Sequence, residues 1–405
     1  MSTTAVPAQR PPRILSVDAL RGFDMLWIIG GEHVAKALDA LGGGPIVAVL
    51  INQLTHVRWD GFHFFDVIFP LFLFLVGVSI VLSMDRLQAE AGRAGALGRI
   101  VRRSGLLFVV GVFYYGGFSR AWPDVQLAGV LPRIAVCYLV GATLYVLVSR
   151  KGMVIATAVC LIGYWVLLTF VPFPDVNLER PNLGKRGTQA SAEAPAILLA
   201  KVTTTVHGTF DEGRNLAHYV DFQYLPGKKR NLYYTNEGLL STIPAVATTL
   251  FGIMAGWLLT DRRLSGRQKV TWLVAAGAAG VGLGLLWSLQ FPIIKRIWTS
   301  SFCLVASGCA SMLLGVFYLL IDVWRWQKWC GPFLWIGTNA LLVYLAENIL
   351  DFEALAARFV GGDVKNFLDT SVTKGVGGLV IALVGLLLPV LLVRFLYQRK
   401  IFIRL

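Results

Sequence analysis

The sequence is poor in charge. Only 15% of its 405 residues are Asp, Glu, Lys or Arg, whereas 56% are apolar. A typical soluble domain has about 25% charged and about 45–50% apolar residues. The apolar residues also come in runs of roughly 20, the length that crosses a bilayer as an α-helix. This composition excludes an ordinary soluble enzyme and predicts an all-α polytopic membrane protein in a lipid bilayer.

Cysteine and histidine are scarce too, with five of each. The cysteines show no CxxC or metal-ligand spacing, which argues against a disulfide framework. Since no histidine pair has the spacing of HExxH, we predict no metal. Walker, GxGxxG and GxSxG elements are missing from any suitable context. The net charge is +14, but the basic residues lie between apolar segments and nothing resembles a nucleic-acid-binding module. We therefore predict no nucleic-acid partner.

Ten transmembrane helices are predicted within one transmembrane domain, 1–405. The predicted spans are 15–38, 61–84, 99–119, 127–149, 152–172, 238–260, 269–291, 298–322, 331–351 and 371–396. An eleventh span is predicted only if 352–368 enters the membrane. The polar stretch 173–237 separates the fifth span from the sixth and has the composition of an ordered loop or small cap.

Basic residues predict the orientation of these spans. Lys and Arg of the short loops concentrate on one side, for example at 86–103, 262–269 and 394–404. Cytoplasmic loops of membrane proteins carry such an excess. Both termini are therefore predicted to be cytoplasmic, and His56 and the loop 173–237 to lie on the extracytoplasmic side.

Charged and polar side chains occur within or beside the predicted spans, where they are costly and often functional. Asp18 and Arg21 are three residues apart and share a helix face. They form either a structural ion-pair clamp or a site at which Arg21 contacts an anionic ligand. The candidate substrate-binding residues are Asp18, Arg21, Glu32, Glu237, Asn339 and Glu347. If these side chains meet, they line a polar cavity, which a transporter and a membrane enzyme would both need.

His56 is the main candidate for chemistry. It lies at a predicted membrane boundary and is followed by Asp60 and Asp66. Histidine titrates near neutrality, so it can accept a proton from an amine or hydroxyl and pass it on. Either Asp60 or Asp66 would fix the tautomer of the ring and stabilise its charged form. The alternative is a solvated interfacial histidine beside an aromatic belt.

Six segments resemble, in order, the transmembrane acetyltransferases related to lysosomal heparan-α-glucosaminide N-acetyltransferase. The segments are RILSVDALRGFDM (13–25), HVRWDGFHFFDVIFPLFLFLVGVSI (56–80), GVLPRIAVCYLV (129–140), NEGLLSTIPAVATTLFGIMAG (236–256), PIIKRIWTSSF (292–302) and GTNALLVYLAEN (337–348). The length and the number of spans suggest a compact bacterial-type member, placed in the inner membrane. The resemblance also suggests a homodimer.

The resemblance implies transfer of an acetyl group from cytoplasmic acetyl-CoA, as co-substrate, to an amino sugar or glycan across the membrane. The active-site histidine of the family falls on His56, its motif aspartate on Asp66, and its first-helix aspartate and arginine on Asp18 and Arg21. Our hypothesis is an N- or O-acetyltransferase in which His56 is the general base, oriented by Asp60 or Asp66.

Two points stay open in this hypothesis. Asn339 or backbone amides would stabilise the oxyanion, and an acetyl-histidine intermediate is a second route. The rival function is a multi-span transporter or channel for a polar solute. The polar stripes would then be a permeation path, and no CoA would bind.

Overall fold

A computed structural model describes residues 14–42, 44–119, 121–178 and 195–403. The helices in chain order are α1 (Leu15–Leu41), α2 (Pro45–Gln53), α3 (Phe64–Tyr114), α4 (Val130–Leu147), α5 (Arg150–Phe170), α6 (Pro195–Ala200), α7 (Leu216–Tyr224), α8 (Thr242–Thr260), α9 (Gly266–Trp287), α10 (Ser300–Tyr318), α11 (Gly331–Thr338), α12 (Ala340–Leu350), α13 (Phe352–Val360), α14 (Gly362–Ser371) and α15 (Val376–Gln398). Residues 1–13 and 179–194, and Arg404 of the predicted basic cluster, lie outside the described residues.

The prediction of an all-α polytopic membrane protein is confirmed. Among the described residues, seven helices are long and apolar enough to cross a bilayer, or eight if the bent pair α11–α12 is one span. Helix α1 has 27 residues and is about 40 Å long. It is not counted among these seven helices because it contains too many acidic and basic side chains. Each of the ten predicted spans overlaps a helix or helix pair of the structure.

Helix α3 joins two predicted spans. Its 51 residues would be about 77 Å long if straight, more than twice the thickness of the hydrocarbon core. The helix is interrupted at Gly92, whose φ of 66° and ψ of −178° are not helical. Ile80 and Ile100, on either side of this break, belong to the same apolar cluster. The chain therefore folds back near Gly92 and supplies two crossings.

The ninth predicted span, 331–351, is not a continuous helix. Helices α11 and α12 meet at Asn339 and are bent by 80°. The eleventh predicted span, 352–368, is not supported either. That region forms α13 and α14, of 9 and 10 residues, each about 15 Å long and too short to cross a bilayer.

Helices α3 and α8 pack with their backbones in direct contact. A Cβ added at Gly252 would lie 1.9 Å from the carbonyl oxygen of Phe74, and one at Gly77 would lie 2.0 Å from that of Thr249. Only glycine allows such an approach, as in other small-residue helix interfaces. This contact fixes α3, and with it the first-turn residues of α3, against the centre of the bundle.

The described part of the loop 173–237 forms a small cap over one end of the bundle. Strands β1 (Phe173–Pro174) and β2 (Thr205–Val206) pair antiparallel, and Arg214 forms an ion pair with Asp175 at 2.6 Å. Trp59 donates its indole N–H to the Phe210 carbonyl at 2.9 Å. We call this end of the bundle the cap end.

A cavity of about 270 Å³ lies between α3, α8, α9 and α10. It is lined mainly by apolar and small side chains, among them Phe74, Phe251, Leu273, Gly277, Leu304 and Gly308. The charged side chains named from the sequence do not line it. They collect instead at the cap end and at the opposite end, where α1 begins.

Candidate active site

Two loops meet at the cap end and bring distant residues together. The backbone of Asp60 pairs with that of Ile294, and the N–H of Gly61 donates to the Ile293 carbonyl at 3.0 Å. The loop 54–63 is thereby held against the turn 292–299. This pairing places the side chain of Lys295 beside that of His56.

Asp66 is a buried, fixed carboxylate in the first turn of α3. Its side chain is 1% exposed. Oδ2 accepts hydrogen bonds from the backbone N–H groups of His63 at 3.0 Å and Val57 at 3.4 Å. The N-terminal end of a helix also stabilises negative charge. These interactions favour the ionised carboxylate and leave its second oxygen, Oδ1, for other partners.

His56 contacts that second oxygen. Its Nδ1 is 2.9 Å from Oδ1 of Asp66, and its ring packs on Phe65 with centroids 4.7 Å apart. Half of the His56 side chain is exposed. When Nδ1–H donates to Asp66, the lone pair of Nε2 is available to take a proton. A carboxylate that orients an imidazole in this way is the arrangement of a general base.

Lys295 is the site residue that the sequence did not reveal. Its Nζ lies 3.0 Å from Nδ1 of His56 and 3.3 Å from Oδ1 of Asp66. Burial lowers the pKa of Lys295, and the Asp66 charge opposes this shift. Burial also lowers the pKa of His56; the hydrogen bond that His56 donates to Asp66 opposes that shift, and the Lys295 charge adds to it. The site therefore joins an imidazole, a carboxylate and an amine.

Of the two carboxylates predicted to orient His56, Asp66 is the one in contact. Asp60 is exposed, and it contributes its backbone to the pairing with Ile294.

Asp18 and Arg21 lie at the opposite end of the bundle. Arg21 bonds to Asp18 at 3.3 Å and to Ser79 of α3 at 2.7 Å. Thirteen residues of helix separate Ser79 from Asp66, a distance of about 20 Å. The structure therefore does not place this pair beside His56.

Asn339 also lies near the start of α1. A Cβ added at Gly337 would be 1.9 Å from the Asp18 carbonyl. The Asn339 side chain donates to the Ile401 carbonyl at 3.1 Å and accepts from the Ile403 N–H at 3.0 Å. Its amide holds the segment after α15, and the structure does not bring it to His56.

Glu32 and Glu347 belong to a group near the end of α1. Glu32 pairs with Lys36 at 2.9 Å. Glu347 lies 4.0 Å from His33, which also pairs with Glu353. Of these groups, Glu32 is close enough for its charge to act on His56.

Glu237 is in the turn before α8, where a buried arginine organises the backbone. Arg133 donates to the carbonyls of Asn236 at 3.1 Å and Gly238 at 3.4 Å, and to the hydroxyl of Ser241. The charge of Glu237 acts on both Arg133 and Lys295. Arg133 lies in the fourth predicted span and was not among the predicted site residues; an arginine in a predicted span was the available signal.

Comparison with known proteins identifies related acetyltransferases. The family model "Heparan-alpha-glucosaminide N-acetyltransferase, catalytic" matches residues 13–179, which include His56 and Asp66. Human heparan-alpha-glucosaminide N-acetyltransferase is 27% identical over 378 residues, 84% of this chain and 53% of the human protein. The mouse protein is 26% identical over 376 residues, 84% of this chain and 54% of its own length. The chain is related to this acetyltransferase family.

The relationship has a limited extent. The chain spans about half of the length of these curated heparan-alpha-glucosaminide N-acetyltransferases. The region matched by the family model ends at residue 179 and so contains the imidazole and the carboxylate of the site, while Lys295 lies beyond it.

Proposed function

We propose that the chain is a transmembrane acetyltransferase that transfers an acetyl group from acetyl-CoA to the amine of an amino sugar or glycan. The relationship to heparan-alpha-glucosaminide N-acetyltransferase supports the reaction class and both substrates. The observation that carries the proposal is the contact of His56 with the buried Asp66 at the end of a membrane helix.

In the proposed reaction His56 acts as the general base. Nδ1–H donates to Asp66, and Nε2 accepts a proton from the amine as the amine nitrogen attacks the thioester carbonyl. A C–N bond forms, the C–S bond breaks, and the sulfur leaves as the thiolate of CoA. The proton on His56 then passes to that thiolate, so the products are the N-acetyl acceptor and CoA–SH. The acetyl-histidine route differs in that Nε2 itself attacks the thioester first.

The proposal extends to the arrangement in the membrane. The basic clusters named above support cytoplasmic termini and an extracytoplasmic cap end. Acetyl-CoA would then approach from the end where Arg21 lies, and the acceptor from the end where His56 is exposed. The homodimer and the bacterial inner membrane stay predictions.

His56→Gln tests the general base in proteoliposomes supplied with radiolabelled acetyl-CoA and glucosamine. We expect acetyl transfer to fall by about 10²–10⁴-fold, the usual contribution of a general base, while the folded protein is retained. The matched control is His207→Gln, because His207 is an exposed histidine of the cap. Unchanged turnover in His56→Gln would remove His56 from the mechanism. A wild-type protein that gives no thermal-shift response to acetyl-CoA would favour the transporter.

A further inference from the structure

The geometry points to Lys295 as a positioning residue of the proposed active site. We infer that its ammonium shares the Asp66 carboxylate with His56 and thereby holds the imidazole in its neutral form. This inference rests on the proposed function, in which His56 must offer a free lone pair at Nε2.

The first step is the number of acceptors that Asp66 offers. Oδ2 is occupied by two backbone N–H groups, those of His63 and Val57. Oδ1 is 2.9 Å from Nδ1 of His56 and 3.3 Å from Nζ of Lys295. Both donors can point at this one oxygen, because a carboxylate oxygen accepts more than one hydrogen bond.

The second step is the cost of a second proton on the ring. Nζ of Lys295 is 3.0 Å from Nδ1 and 3.5 Å from Nε2 of His56. An imidazolium at these distances would place two positive charges side by side against a single carboxylate. A like charge this close disfavours the charged form. Without Lys295, the buried Asp66 would instead stabilise the imidazolium and remove the base from the reaction.

The third step is that the fold holds Lys295 in place. The Thr299 hydroxyl accepts from the Ile294 N–H at 3.0 Å and donates to the Pro292 carbonyl at 2.8 Å. The turn 292–299 is also tied to the loop 54–63 by backbone pairing. The Lys295 side chain is only 19% exposed. It is therefore a fixed charge and not a solvated surface lysine.

No other charged group described around the site takes the place of the Lys295 ammonium beside His56. The charged groups that act on His56 or Lys295 are Asp24 and Glu32 on α1, Asp66 on α3, Glu237 before α8, and Arg296 beside Lys295. Glu32 is anionic and pairs with Lys36 at 2.9 Å, and Arg296 pairs with Glu212 at 2.8 Å. Among the described residues, Lys295 is the cation in contact with the His56 ring.

The test measures the titration of His56 without acetyl transfer. Diethyl pyrocarbonate reacts with neutral imidazole and not with imidazolium, so mass spectrometry of the peptide that carries carbethoxylated His56, from about pH 5 to about pH 8, gives its midpoint. We expect a wild-type midpoint below about 6.5. In Lys295→Gln the midpoint should rise by about one pH unit or more, which corresponds to about tenfold slower modification below the midpoint.

Two variants separate charge from structure. Lys295→Arg keeps the positive charge and should retain the wild-type midpoint. Arg296→Gln removes the neighbouring cation, which pairs with Glu212, and should leave the midpoint of His56 unshifted. In active protein, the acidic limb of the kcat/KM profile should move with the midpoint in Lys295→Gln.

Three results would overturn the inference. One is a wild-type midpoint above about 6.5, a result that does not depend on the folding of any variant. The others are a Lys295→Gln midpoint that is unchanged or lower, and an equal rise in Arg296→Gln. Since the modification needs no acetyl-CoA, a protein with the expected midpoints but no acetyl transfer would contradict the proposed function, while the effect of Lys295 on the protonation of His56 would stand.

Discussion

Asp66→Asn is the sharpest perturbation of the site because it changes charge with little change in shape. The asparagine oxygen can replace Oδ2 and accept from the His63 and Val57 N–H groups. Its NH₂ group then faces Nδ1 of His56 and Nζ of Lys295, where Oδ1 was. A donor in this place favours the His56 tautomer that carries its proton on Nε2. In that tautomer Nε2 has no lone pair with which to accept a proton from the substrate.

The magnitude follows from these contacts. In a Ser-His-Asp triad the same change imposes the wrong tautomer and lowers kcat about 10⁴-fold. We therefore expect Asp66→Asn to lower acetyl transfer by about 10³–10⁴-fold. Asp66→Asn also removes the charge partner of Lys295. Loss of such a partner from a buried pair costs about 3–5 kcal/mol of unfolding free energy, and because the Lys295 side chain is 19% exposed, solvent should reduce this to about 2–3 kcal/mol.

The assay compares turnover of purified variants in proteoliposomes, with thermal unfolding in detergent as the measure of stability. Asp60→Asn is the matched control, because Asp60 is exposed and six residues away in the same segment. It should retain turnover within a few-fold. The reasoning is refuted if Asp66→Asn stays within tenfold of wild type, or if Asp60→Asn loses as much activity as Asp66→Asn.

Two further predictions concern stability. Gly252→Ala should lower the unfolding free energy by about 1–3 kcal/mol, because its Cβ would lie 1.9 Å from the Phe74 carbonyl oxygen. The control Gly282→Ala, whose Cβ would have open space around it, should be neutral or stabilising in thermal unfolding. Equal effects of the two substitutions would contradict the packing argument. Burial raises the pKa of Asp221 in the cap to about 6, so this carboxyl binds its proton more tightly in the folded state than in the unfolded state. The unfolding free energy of wild type relative to Asp221→Asn should therefore fall by about 3 kcal/mol as pH rises from about 4 to about 6. A pH-independent difference between those two proteins would count against that shift.

Hydrophobic runs predicted the membrane spans well, because a bilayer-crossing helix must be long and apolar. The connections were harder to predict. Residues 85–98 contain four Ala, two Leu and two Arg, which are good helix formers, and they connect the two halves of α3 with a non-helical backbone only at Gly92. Asn339, where α11 and α12 meet at the bend, bonds to the backbone of Ile401 and Ile403, which lie 62 and 64 residues away and belong to no local pattern.

The candidate site was partly predictable for a similar reason. His56 and Asp66 are ten residues apart, so one segment contains both, and a histidine and an aspartate at the start of an apolar helix are visible in the sequence. Lys295 is 239 residues from His56. Its basic side chain beside a predicted span has an ordinary explanation in membrane topology. Only the pairing of the two loops shows that it reaches the imidazole.

The distribution of charge along the bundle bears on the choice between an acetyltransferase and a transporter. Arg21 at one end and His56 at the other are separated by about 20 Å along α3, and the 270 Å³ cavity beside Phe74 is mainly apolar. A polar solute would lose its hydration in such surroundings without compensating partners. Under the proposed function, an acyl-CoA would keep its charged head near Arg21 and place only its uncharged arm, which ends in the acyl thioester, between the helices. This difference favours an acyl-CoA over a polar solute.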